Sequence, residues 1–170
     1  EGETRAALLI IILPETMEDG STVTDEELAF SLREAAMDDD VALLDWLMDN
    51  SAMTMNMLQQ TDDEGFTVIQ HACRVGSLNV VRNLISRQYA SDDVFSLLRH
   101  QTAESGETAL HLAVRNGYPQ ILHKVLQAVD RPKRQELISL QDKQNQSIED
   151  IAGQINKDYG LLAGAVIKCE

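Results

Sequence analysis

At 170 residues the chain is long enough for one domain with its own core and short for two. Its apolar share of 44% argues against global disorder, while an aromatic share of 4% leaves Leu, Ile, Val, Met and Ala to fill the core, as they do in stacked helices. A formal net charge of −14 repels phosphate, which argues against nucleic acid as a partner and favours basic partners.

The acidity is uneven. Residues 1–65 carry 17 acids and 2 bases, and residues 66–170 carry 11 acids and 12 bases. Cys73 and Cys169 are far apart and show no C-x-x-C spacing, so a reducing compartment, the cytoplasm, is the expected location. The longest apolar run, residues 6–13, is far short of the ~20 residues that cross a bilayer and follows no basic leader. Neither a membrane span nor a signal peptide is expected, and for a secreted effector the location would be the host cytoplasm.

Along the chain, residues 1–24 read as this apolar segment followed by an acidic linker, with the segment able to dock on whatever follows. Thr24 is placed to cap a helix starting at Asp25, and Glu27, three residues later, completes a capping box. Residues 32–48 fit a pair of helices. Asp38, Asp39 and Asp40 between them are consecutive, without the alternation of a calcium loop, and are expected in a solvated turn. Met53, Met55 and Met57 alternate, but with no His or Cys beside them a packed, irregular connection is expected rather than a copper site.

The strongest signal is a repeat. Gly65, Thr67, Ala72 and Gly76 recur as Gly106, Thr108, Ala113 and Gly117, every pair offset by 41 without a gap. A Gly before Thr permits a turn with positive φ, and Thr then caps a helix whose small residues let neighbours approach closely. Gly76 and Gly117 end that helix at the left-handed position. A second helix follows, with Leu78, Val81, Leu84 and Ile85 matched by Ile121, Leu122, Val125 and Leu126 at helical spacing. Two short helices cannot bury their apolar faces alone, so the units must stack. Residues 142–152 repeat the pattern with Asn145 for Gly and Ser147 for Thr. Ala35, Leu43 and Leu47 stand 37 residues before Ala72, Val80 and Leu84, as in a first unit without its turn.

The stretch Gly-Glu-Thr-Ala-Leu-His-Leu-Ala-Val-Arg-Asn-Gly, residues 106–117, resembles the ankyrin signature, with Ala109 where the family has Pro. In the preceding unit Gln70 takes the family's His position. The resemblance implies an all-α, ankyrin-type helix-turn-helix solenoid of about four units over residues 25–170, at about 25–60, 61–101, 102–140 and 141–168, the first and last divergent. Spacings of 37, 41 and 39 exceed the family period of about 33. The surplus lies in residues 86–102 and 127–140, where a longer second helix or an added helical turn is expected. His111 is expected to hydrogen-bond between units, and Cys73 to be a small buried residue.

The family likeness further implies a protein-protein interaction module rather than an enzyme, with no cofactor and no metal. Hairpin tips and the exposed side of the first helices would contact the partner. Carried over position by position, these are Asp63, Glu64, Phe66, Arg74 and Val75, then Glu104, Ser105, Glu107, Arg115 and Asn116, then Lys143, Gln144 and Gln146. Phe66, expected to be exposed at a tip, is the leading anchor, since aromatic residues and Arg dominate hot spots. Removing it together with Arg74 is expected to weaken binding and leave the thermal midpoint nearly unchanged. Two further readings are an accessory domain of a larger enzyme or secreted bacterial effector, and an inhibitor that covers a basic partner with its acidic half.

Overall fold

The computed structural model describes residues 24–50, 55–87 and 91–159. The run 6–13, the linker before Thr24, Met53 and Cys169 lie outside the described residues. Among the described residues ten helices follow one another: α1 (Asp25–Met37), α2 (Val41–Asn50), α3 (Met55–Gln59), α4 (Val68–Val75), α5 (Leu78–Ser86), α6 (Ser91–Arg99), α7 (Ala109–Arg115), α8 (Pro119–Ala128), α9 (Arg131–Ser139) and α10 (Ile148–Tyr159). Among the described residues the sole extended pairing is an isolated bridge, Gln141 to Ser147.

The helices stack in three rows. An inner row runs α1–α4–α7–α10, an outer row α2–α5–α8, and a third row α3–α6–α9. Inner helices come close because Ala35, Ala72, Ala113 and Ala152 face the neighbours, all essentially without solvent contact. Leu32, Ile69, Leu110 and Ile148 fill the same seam, joined by Leu44, Leu47, Val81, Leu84, Leu122 and Val125 from the outer row. The core is one aliphatic cluster along the stack.

The third row is what the long spacings encode. Instead of a lengthened second helix, a separate helix forms. Arg87 and Val129 break the outer helices with extended backbone. Asp130 then caps α9 by accepting from Lys133 N at 3.1 Å, with Pro132 in its first turn. Each third-row helix touches the inner helix of the next unit, and Val94, Leu97, Leu98, Leu137 and Ile138 bury its apolar side. In the first unit the same row turns the Met55–Gln59 stretch helical, with Met57 buried, where an irregular connection was expected.

Helix ends obey the repeat. Thr24 and Glu27 form the expected capping box, Glu27 Oε2 accepting from Thr24 N at 2.8 Å. Gly76 (φ 92°) and Gly117 (φ 80°) take the left-handed position after the inner helix. There the next amide reaches back five residues, Ser77 N to Ala72 O at 2.9 Å and Tyr118 N to Ala113 O at 2.8 Å. In the first unit Asp39 takes this position with φ 53°, and Asp40 N donates to Ala35 O at 2.9 Å. Asp39 is more than a solvated turn residue. Its carboxylate accepts from Val80 N at 3.0 Å and Asn79 Nδ2 at 2.8 Å, so it caps the outer helix of the next unit.

Candidate functional site

Three hairpin tips project on the inner-row side, preceding α4, α7 and α10. Each is closed by a side chain at its first residue. Asp62 Oδ1 accepts from Glu64 N at 3.0 Å and Phe66 N at 2.9 Å. Asp142 Oδ1 accepts from Gln144 N at 2.8 Å and Gln146 N at 2.9 Å. In the middle tip, one residue longer, Thr102 Oγ1 accepts from Glu107 N at 3.1 Å. Gly65, Gly106 and Asn145 supply the positive φ of the turn, so Asn does replace Gly there.

The residue three after each capping Thr or Ser ties the inner helix to its own turn and, in two cases, to the next unit. Gln70 Oε1 accepts from Thr67 N at 2.9 Å, and its Nε2 donates to His100 O at 3.0 Å and Glu107 O at 3.2 Å. His111 does the same. Nδ1 accepts from Thr108 N at 3.2 Å, which leaves the proton on Nε2 to donate to Gln146 O at 3.1 Å. Burial pushes the His111 imidazole below its ordinary value, against the pull of Gln146 O and nearby carboxylates. The expected bridge between units is present, and Gln70 is its amide equivalent.

The middle and last tips are joined further. Lys143 N donates to Ser105 O at 2.9 Å, and Gln101 Nε2 donates to Gly106 O at 2.8 Å and Gln141 O at 2.7 Å. A Cβ on Gly106 would lie 2.9 Å from Lys143 N, so the two tips touch through backbone.

The sequence-derived contact residues divide into two groups. Asp63, Glu104 and Gln144 are exposed, and among the described residues their side chains have no partner. Val75 is 39% exposed, and Lys143 is exposed with Nζ on Ala103 O. The rest are engaged by the fold. Arg74 pairs with Glu64 at 3.2 Å and lies 4.8 Å above the Phe66 ring. Arg115 Nε pairs with Glu107 at 2.6 Å, its Nη2 reaches the buried Asp142 at 3.1 Å, and Gln146 Oε1 lies at 3.5 Å. Ser105 Oγ donates to Glu107 Oε2 at 2.8 Å, and Asn116 Nδ2 to Leu112 O at 2.8 Å.

Phe66 is not the exposed anchor expected. It is half-buried against the core, 5.5 Å from the His71 ring and covered by Arg74. The reason is local. The Asp62 turn folds the Phe66 amide inward, and His71 Nε2 clamps the same carboxylate at 2.6 Å. Partial burial pushes the Asp62 carboxyl up, but the Phe66 and Glu64 amides and His71 outweigh it and hold it below the usual range. Among the described residues the exposed aromatic is Phe30 on α1, 59% accessible. Its signal was in the sequence, opposite the apolar stripe Leu28, Leu32, Ala35 and Ala36. Cys73 is buried as expected, its thiol pushed up to about 12 by burial and so inert.

Stacked helix pairs capped by Thr, ended by left-handed Gly and bridged at the fourth position of the inner helix cap define a helical repeat array. A family model described as ankyrin repeats in three copies matches residues 32–135, more than half of the chain. The chain belongs to the ankyrin repeat family. The inner row continues past the matched region, since α10 stacks on α7. No curated protein matches the chain. Ankyrin arrays are in general non-enzymatic protein-protein interaction folds. Among the described residues no helix is long and apolar enough to cross a membrane.

Proposed function

We propose that this array binds a partner protein through its tips and inner-row side, and that the partner presents a basic surface. The observation that carries the reading is the division among tip residues. The backbone of each tip is fixed by hydrogen bonds, while Asp63, Glu104 and Gln144 are left pointing to solvent without a fold-imposed partner. Rigid backbone with uncommitted side chains is what low-cost recognition requires. Acidic predominance before residue 66 favours a cationic partner and suits a module that shields a basic face. A cytoplasmic location accords with the unpaired, buried Cys73.

The test is cross-linked capture from cells with the full chain as bait. Glu104→Lys with Gln144→Lys alters the middle and last tips, and Gln120→Ser, exposed on the outer row, serves as control. Proteins retained by the wild type and the control but lost with the tip variant support the reading. A tip variant that retains the same proteins as the wild type at the same salt removes it.

A further inference from the structure

The middle and last tips close on each other through backbone, whereas among the described residues, which begin at Thr24, no tip precedes the one at residues 62–66. Among the described residues a groove of about 970 Å³ lies there, between the solvent-facing stripe of α1 (Phe30, Arg33, Glu34, Met37) and the stretch Gln59 to Glu64.

Two features of this groove are independent of each other. Phe30 lies in it with 59% of its surface accessible, the largest exposed apolar side chain among the described residues. Single exposed apolar residues are ordinary, but this ring stands inside a concavity. Around it are Asp25, Glu26, Glu34 and Asp63, none of which makes an ion pair among the described residues. Arg33 is the one guanidinium among the described residues lining the groove. The electrostatic field therefore stays negative where an apolar contact is available, and low-dielectric walls concentrate it.

We propose that this groove is a docking site for a Lys/Arg-rich segment of a partner protein that places one apolar side chain on Phe30. The site rests on the interaction-module reading above and specifies which surface takes the cationic element. Charge complementarity selects the occupant. A second copy of this acidic chain would bring like charges together, and an apolar segment alone would leave the four carboxylates unanswered. Closing on Phe30 desolvates the ring, and the surrounding ion pairs strengthen as water leaves.

The experiment is fluorescence anisotropy of the full chain with a labelled Lys/Arg peptide carrying a central leucine, followed across a salt series. Saturable binding that weakens at least about tenfold with Phe30→Ala, and again with Glu26→Lys plus Glu34→Lys, is the expected result. A peptide with Ser for Leu should lose what Phe30→Ala loses, and the two losses should not add. Both variants change exposed or half-exposed residues, and circular dichroism confirms that they are folded. Absent saturable binding overturns the site, as does Phe30→Ala with unchanged affinity. Equal loss from Glu149→Lys on α10 also overturns it, by assigning the attraction to net charge. Phe30-dependent dimerisation in sedimentation would overturn it in favour of a second copy. In each of these cases capture through Glu104 and Gln144 stands or falls separately, because those residues lie on other tips.

Discussion

At the scale of single residues, side chains expected to greet a partner are largely consumed in holding the turn that presents them. Phe66 shows the cost of confusing the two roles. Phe→Ala in a full core costs roughly 3–5 kcal/mol, so a half-buried ring under Arg74 is worth about 2 kcal/mol. Phe66→Ala should therefore lower the thermal midpoint by roughly 4–8 °C, read by differential scanning calorimetry. An unchanged midpoint would put Phe66 back on the surface. His111 yields a pH test. Its folded-state affinity for protons is lowered by burial, so the unfolded chain binds more protons below about pH 6.5. The stability held above that pH should drain away as pH falls through the depressed folded value. His111→Gln, which copies Gln70, should flatten that limb of a urea-midpoint profile while leaving the losses in the carboxylate range intact. An unaltered profile would mean that His111 does not titrate between the two states.

At the scale of elements, repeat chemistry was plain in the sequence wherever it depended on one residue type in one place. Gly76, Gly117, Thr108 and the Thr24 box could be read directly because φ and capping are local demands. The third row was not legible as separate helices. Val94, Leu97 and Leu98 show helical spacing, but whether that continues α5 or starts anew depends on a break at Arg87, which carries no breaker residue. The Asp39 cap was hidden for a different reason. A left-handed Asp is uncommon, and its partners Asn79 and Val80 lie about forty residues on. Gly76 and Gly117 serve as a controlled pair. Ala at Gly117 meets nothing within 4 Å and should cost about 1 kcal/mol of backbone strain. Ala at Gly76 would drive its Cβ into the Tyr118 ring, so the ring must move as well. Gly76→Ala should be roughly twice as destabilising, and the excess should vanish in a Tyr118→Ala background. An excess that survives there would show that Tyr118 is not the obstacle.

At the scale of the whole molecule, each unit rests on its neighbours, so stability is the sum of unit terms and interface terms. Ending the chain after Leu140 removes α10 and leaves the faces that meet Ile148, Ile151 and Ala152 open to water. That truncation should lower the urea midpoint and the slope together, since less surface is buried on folding. A midpoint equal to that of the full chain would make α10 an appendage rather than a fourth layer. The candidate surface was legible in part. Asp63, Glu104 and Gln144 follow from the repeat register alone, whereas the groove beside Phe30 is lined from two stretches about thirty residues apart, and such a juxtaposition leaves no motif to find.

The outer helix of the first unit is fastened to the second by polar side chains. Arg87 pairs with Asp45 and with Asp49 at 3.1 Å, and Asn83 Nδ2 donates to Asp45 at 2.8 Å. The Asn83 bond, opposed by slight desolvation and helped by Arg87, keeps the Asp45 carboxyl below the usual range. A clasp of this kind opens on acidification while an aliphatic seam does not. Acid that protonates Asp45 should therefore loosen this junction first, with α2 losing amide protection in hydrogen exchange ahead of α5 and α8; simultaneous loss would assign the junction to Leu44 and Leu47 instead.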